Sequence, residues 1–208
     1  MIKSWRNLWK EQLPFLFVQI APLEQWMQST GTNFVPIRNA QQHTADIVMN
    51  TGMAVITDVG MQFDIHPKKK QPVGHRLALL AENKVYQDDV FCEAPVLSDV
   101  QVQKGKVILT FENAGQGLYL AEKLPYGQIV EKNHFSGLQI FQNGNELDEK
   151  NFSASVENNQ VIIRGDEICA DIDTEVKIAQ TGWYLVNLYN SADIPAMPAY
   201  RKVILSDM

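Results

Sequence analysis

Phe15-Leu16-Phe17-Val18-Gln19-Ile20 and Met53-Ala54-Val55-Ile56-Thr57-Asp58-Val59 are the two stretches whose reading decides the fold. Each is a short, nearly continuous apolar run, the composition of a strand covered on both faces as in a parallel sheet. The segments around them carry helical spacing. Residues 2–12 set Trp5, Leu8, Trp9 and Gln12 at helical intervals, with Ser4 a candidate N-cap and Pro14 the stop. Residues 38–49 read as a second helix ended by Thr51-Gly52, and residues 73–82 as a third, short and amphipathic. Helix, strand, helix, strand, helix is the rhythm of an open α/β sheet.

Beyond a linker at 83–95 the texture changes. Residues 107–111, 138–141, 161–164 and 183–188 have strand composition, and the pairs Lys104-Gly105, Asn143-Gly144 and Asn158-Asn159 supply turns between them. Gly115 and Gly117 suit a turn or bulge with positive φ. Short strands without intervening helices predict a β-sandwich. The chain is therefore read as two domains, α/β over 1–85 and all-β over 86–208.

The 208 residues are 45% hydrophobic and 20% charged, which excludes wholesale disorder. A formal net charge of -6 gives no bulk attraction for phosphate backbones, so nucleic acid is not an expected partner. The longest basic run, Lys68-Lys69-Lys70, reads as a solvated turn. Cys92 and Cys169 permit at most one disulfide and have no metal-ligand spacing; pairing and two buried thiols both remain open. Asp171 and Asp173 alternate along an extended segment without the ligand count of a calcium site, so no metal is expected. No membrane span is expected either, because no run reaches the roughly 18 apolar residues it needs. Lys3, Arg6, Lys10 and Glu11 interrupt any signal-peptide core.

Ligands of an open α/β sheet bind where strands give way to loops. The loop after the second strand, Gly60-Met61-Gln62-Phe63-Asp64-Ile65-His66-Pro67, holds the residues best suited to chemistry. An imidazole can move a proton near neutral pH, and a carboxylate nearby can fix its tautomer and support the imidazolium. Side chains two apart on an extended segment diverge, so sequence leaves contact between Asp64 and His66 open. Arg38, Gln41 and Gln42 have the planar hydrogen-bonding groups of sugar sites, and a polar helix face is the competing reading. Trp26 is the tryptophan best placed for a cleft, in the loop after Ala21-Pro22. His134 shows no evident partner.

The block from Gly52 to Gly60, then Asp64-Ile-His-Pro67, Lys70-Gln-Pro-Val-Gly74 and Arg76-Leu-Ala78, resembles the sialate O-acetylesterases, carbohydrate esterases of the SGNH-hydrolase type. Trp5-Arg6, the run from Phe15 to Pro22, and Arg38 with Ala40-Gln41 resemble the family's preceding segments. Ala114-Gly-Gln-Gly-Leu118, and Asn187-Leu-Tyr-Asn190 followed by Pro195-Ala196 and Pro198, resemble its C-terminal β-domain. The resemblance implies the C-terminal part of an SGNH, flavodoxin-like three-layer hydrolase followed by a β-sandwich. It implies a Ser/His/Asp hydrolase that removes acetyl groups from sugar hydroxyls, notably those of sialic acids, without a cofactor. His66 matches the general base and Asp64 its supporting aspartate. Export to the periplasm is the family's habit.

The chain departs from that family at the nucleophile. Its serines are Ser4, Ser29, Ser98, Ser136, Ser153, Ser155, Ser191 and Ser206, and none sits in a glycine-flanked strand-to-helix turn. The chain alone is therefore expected to be inactive. The exposed sheet edge is expected to take an N-terminal, serine-bearing half or a second copy. The rival expectation is a non-catalytic glycan-binding or interaction protein that keeps the esterase scaffold.

Overall fold

The computed structural model describes residues 1–124 and 128–204. The first half comprises α1 (Ile2–Trp9), β1 (Phe15–Val18), the two-residue strands β2 (Gln25–Trp26) and β3 (Ser29–Thr30), α2 (Val35–Ile47), β4 (Thr51–Ala54) and α3 (Gln71–Lys84). β1 runs parallel to β4, with Phe15 opposite Thr51 and Val18 opposite Ala54. β4 is buried throughout, whereas β1 is only half-buried. Expected burial of both strands on both faces fails at β1 because, among the described residues, no second strand lies beside it.

Local chemistry sets the helix ends. α1 stops where Lys10 turns left-handed, φ 57°, and Ser4 lies inside the helix instead of capping it. Its anchor is polar: Arg6 is buried and donates to the carbonyls of Leu13, Met49 and Asn50 at 2.8–3.1 Å, while Trp5, Leu8 and Trp9 are exposed. α2 starts three residues earlier than expected because Pro36 fits its first turn, where a missing N–H costs nothing. Asn50, φ 57°, makes the left-handed turn assigned to Gly52. Gly52 is already in β4, where a Cβ would come within 2.9 Å of Leu16 Cδ2.

The second half follows as β5 (Val96–Gln103), β6 (Lys106–Glu112), β7 (Leu118–Lys123), β8 (Ile129–Glu131), β9 (Leu138–Gln142), β10 (Asn145–Glu146), β11 (Ser153–Glu157), β12 (Gln160–Arg164), β13 (Thr174–Ile178), β14 (Leu188–Asn190) and β15 (Ala199–Val203). They form sheets in the orders β11-β12-β6-β5, β10-β9-β13-β15 and β14-β7-β8. Alternate residues of β6 (Val107, Leu109, Phe111), β9 (Leu138, Ile140) and β13 (Val176, Ile178) meet in one core. Asn143-Gly144 turns with both residues at positive φ, the hairpin geometry its sequence demands. The fold is thus mixed, with several sheets and few helices.

Two expectations change. Of the strand expected at 183–188 only Leu188 falls in a strand, β14 (Leu188–Asn190), because part of the segment before it bonds to the first half. Val186 N donates to Thr57 O at 3.0 Å, and Gly182 O accepts from Leu23 N at 3.1 Å. Of the linker expected at 83–95, Asn83 and Lys84 belong to α3, and residues 85–95 hold no helix or strand yet are clamped. Asn190 Nδ2 donates to Glu93 O, Asn113 Nδ2 to Ala94 O, and Met197 N to Pro95 O. Cys92 and Cys169 are free thiols. No helix of the described residues is long and apolar enough to cross a membrane.

Candidate active site

The loop that follows β4 is fixed at its root and open at its tip. Val55 and Ile56 continue the strand into the interior, and Thr57 Oγ1 donates to Ala196 O at 2.9 Å. Asp58 then meets Arg76 of α3 in a buried ion pair of 2.6 Å. At Gly60 the chain passes so close to Pro22 that a Cβ would overlap its carbonyl oxygen. Gln62 O accepts from the amides of Glu24 and Gln25, and Gln62 Nε2 donates to the Glu24 carboxylate. The loops after both parallel strands are thereby stapled together.

At the tip, Asp64 and His66 touch. Asp64 Oδ1 accepts from the His66 amide at 2.9 Å and lies 3.0 Å from its Nδ1. The turn needs no distant partner, since an aspartate side chain bonds its own backbone two residues on. Pro67 adds to it by restricting the residue before it. The backbone amide of His66, then its ring, holds the Asp64 carboxyl below the usual carboxylate range. An ionised carboxylate only accepts, so Nδ1 donates in this contact, and Nε2 is the ring nitrogen with no partner among the described residues. The imidazole is 72% exposed, and Trp26 meets it edge-on with ring centroids 5.8 Å apart.

Arg38 and Gln41 do not join this group. Arg38 is 1% exposed, donates to Thr181 O and lies 5.2 Å from the Tyr184 ring centroid, so it packs inside instead of lining a cleft. Its burial lowers the guanidinium's ordinary value. Gln41 is spent on backbone: Oε1 accepts from Ile20 N at 2.9 Å and Nε2 donates to Val18 O at 3.2 Å. Consecutive strand residues present their backbone groups to opposite edges, and Gln19 N bonds Ala54 of β4. Gln41 therefore occupies the outer edge of β1, as a neighbouring strand would.

Met27 and Phe63 are exposed on the two stapled loops, and single-residue reading gave no sign of them. Among the described residues no serine hydroxyl bonds His66; Ser29 belongs to β3, and Ser206 lies outside the described residues. Among the described residues, too, no three His, Cys, Asp or Glu side chains are grouped so as to hold a metal ion.

No protein-family model and no curated protein matches this chain. Its structure is similar to the crystal structure of a novel carbohydrate acetylesterase from Xanthomonas citri, with 28% sequence identity and a TM-score of 0.73. The similarity covers 97% of this chain and 44% of the other, so this chain spans less than half of that enzyme's length.

Proposed function

We propose that this chain carries the histidine–aspartate half of a carbohydrate O-acetylesterase of the sialate O-acetylesterase type, with residues 1–85 as part of an SGNH hydrolase sheet and 86–208 as its β-domain. The likeness to a carbohydrate acetylesterase supports the reaction class. The observation that carries the site is the 3.0 Å contact of His66 Nδ1 with Asp64, which leaves the exposed imidazole's other nitrogen free.

In this reading Nε2 takes the proton of a serine hydroxyl as its oxygen attacks the acetyl carbonyl. The imidazolium returns that proton to the departing sugar oxygen. Water, deprotonated by the same nitrogen, then cleaves the acetyl-serine to acetate and free enzyme. Asp64 holds the ring and supports its charge, and Trp26 supplies a wall for the sugar. The serine comes from a segment docked on the outer edge of β1, where Gln41 covers only the Val18–Ile20 end.

Hydrolysis of a chromogenic acetyl ester tests this, with the chain alone and co-expressed with a serine-bearing hydrolase segment. The chain alone is expected to show no turnover above free imidazole. The assembled site is expected to turn over and to lose at least about 10²-fold in His66→Ala. Activity of the chain alone that vanishes in His66→Ala would place the nucleophile within these residues. Inactivity in both forms, with acetylated glycan still bound, would favour the non-catalytic glycan-binding reading.

A further inference from the structure

We propose that the cleft between the start of α3, strand β7 and the segment after β8 binds a small hydroxylated carboxylate anion, at a site separate from the Asp64–His66 pair. The cleft has a volume of about 380 Å³ and is walled by both halves of the molecule. That volume lies in the range of small-molecule sites, which favour such junctions. Asp58 and Lys69 come from the loop ahead of α3, Glu122 and Lys123 from β7, and Lys132 and His134 from the segment after β8. His66 is not among the lining residues.

The charges around the cleft do not cancel. Asp58 is matched by Arg76, Glu122 by Lys132 at 2.7 Å, and Asp193 by Lys123 at 3.3 Å. Lys69 has no ion-pair partner among the described residues, which leaves one positive charge in excess within a chain of net charge -6. One negative charge on a ligand balances it, and a dianion overshoots. The Glu122 carboxyl is held below its usual range by Lys132 first, with His134 and Lys69 acting in the same direction, so these basic side chains lie near one carboxylate.

The cations are also placed. Lys123 Nζ sits 3.8 Å from the Tyr189 ring centroid, and Tyr119 donates to the Asp193 carboxylate that pairs with it. An ammonium has three donors, so Lys132 keeps two beyond its bond to Glu122. Asn187 fixes the strip behind them, taking Ser136 N at 2.8 Å and giving to His134 O at 2.9 Å. His134 and Ser136 line the cleft, and the His134 ring and the Ser136 hydroxyl have no hydrogen-bond partner among the described residues. They are the groups for a ligand's hydroxyls.

The test is a chemical-shift titration of the full chain at low ionic strength with glucuronate, glucose and inorganic phosphate. It uses no ester, so it stands or falls apart from the esterase reading. Glucuronate is expected to saturate, and to bind about tenfold more weakly in both Lys69→Met and Lys132→Met, the loss of one charge-assisted contact. Glucose is expected not to bind. No saturation by glucuronate, equal binding of glucose, tighter binding of phosphate, or unchanged affinity in both lysine variants would each overturn the proposal.

Discussion

Asp58 and Arg76 meet in a two-point ion pair of 2.6 and 2.7 Å, with side chains only 5% and 4% exposed. Arg76 also donates to Val55 O at 3.1 Å and to Asp193 O at 3.2 Å. One guanidinium thus joins the end of β4, helix α3 and the loop after β14. Removing one member of such a pair strands the other's charge in the interior. Arg76→Met is expected to cost about 3–5 kcal/mol in denaturant unfolding. Arg76→Met with Asp58→Asn should cost less than the two single changes added together. A single-variant loss under about 1 kcal/mol would sink this account.

Two glycines in the same region should respond with opposite signs. Gly60 passes against the Pro22 carbonyl, so Gly60→Ala must push apart the stapled loops, at a cost of about 1–3 kcal/mol. Gly74 lies in α3 with nothing within 4 Å of a built Cβ. Gly74→Ala should gain about 0.5–1 kcal/mol from helix propensity. Thermal unfolding of both variants decides the matter; a Gly60→Ala variant no less stable than the parent would refute the close approach at Gly60, and a destabilised Gly74→Ala would refute the open site in α3.

What sequence could say of this fold follows from the range of each signal. Asn143-Gly144 announces its hairpin because both residues adopt positive φ, a local property. Residues 107–111 announce β6 because β-branched and aromatic composition is local too. Residues 183–187 have the same composition, but Val186 N bonds to Thr57 O and the preceding Gly182 O accepts from Leu23 N, both far away in sequence. Gln41 and Arg38 show the same limit at side-chain level, since an amide or guanidinium fits a sugar and a backbone carbonyl equally well. Asp64 and His66 could be read as chemistry from residue type. Their contact depends on a turn at the His66 amide that extended-strand geometry would not give. The cleft basic residues Lys69 and Lys132 are brought together only by the fold.

Gln41 separates structural from ligand-binding roles by experiment. Gln41→Leu removes both bonds to the outer edge of β1 and leaves Ile20 N and Val18 O without that partner. The expected loss is about 1–3 kcal/mol of stability. Glycan affinity in the folded fraction should be unchanged. Lost affinity at undiminished stability would return Gln41 to the ligand.

Asp64 offers the sharpest check on the candidate site. Its carboxyl is held below the ordinary aspartate value of about 3.9 by two donors from His66, the backbone amide first and the ring second. A depressed value means that the fold prefers the ionised form. The stabilising contribution is therefore whole above about 3.9 and is lost as pH falls through the lower, folded value. Near neutrality Asp64 stays charged and keeps the hydrogen on Nδ1. His66→Ala deletes the ring and keeps the amide, so Asp64 should rise only part of the way back. Carboxyl ¹³C chemical shifts followed over an acid titration read this directly. A full return would assign the depression to the ring alone. No change at all would mean that the ring gains nothing from Asp64, and the orienting role of that carboxylate would fall with it.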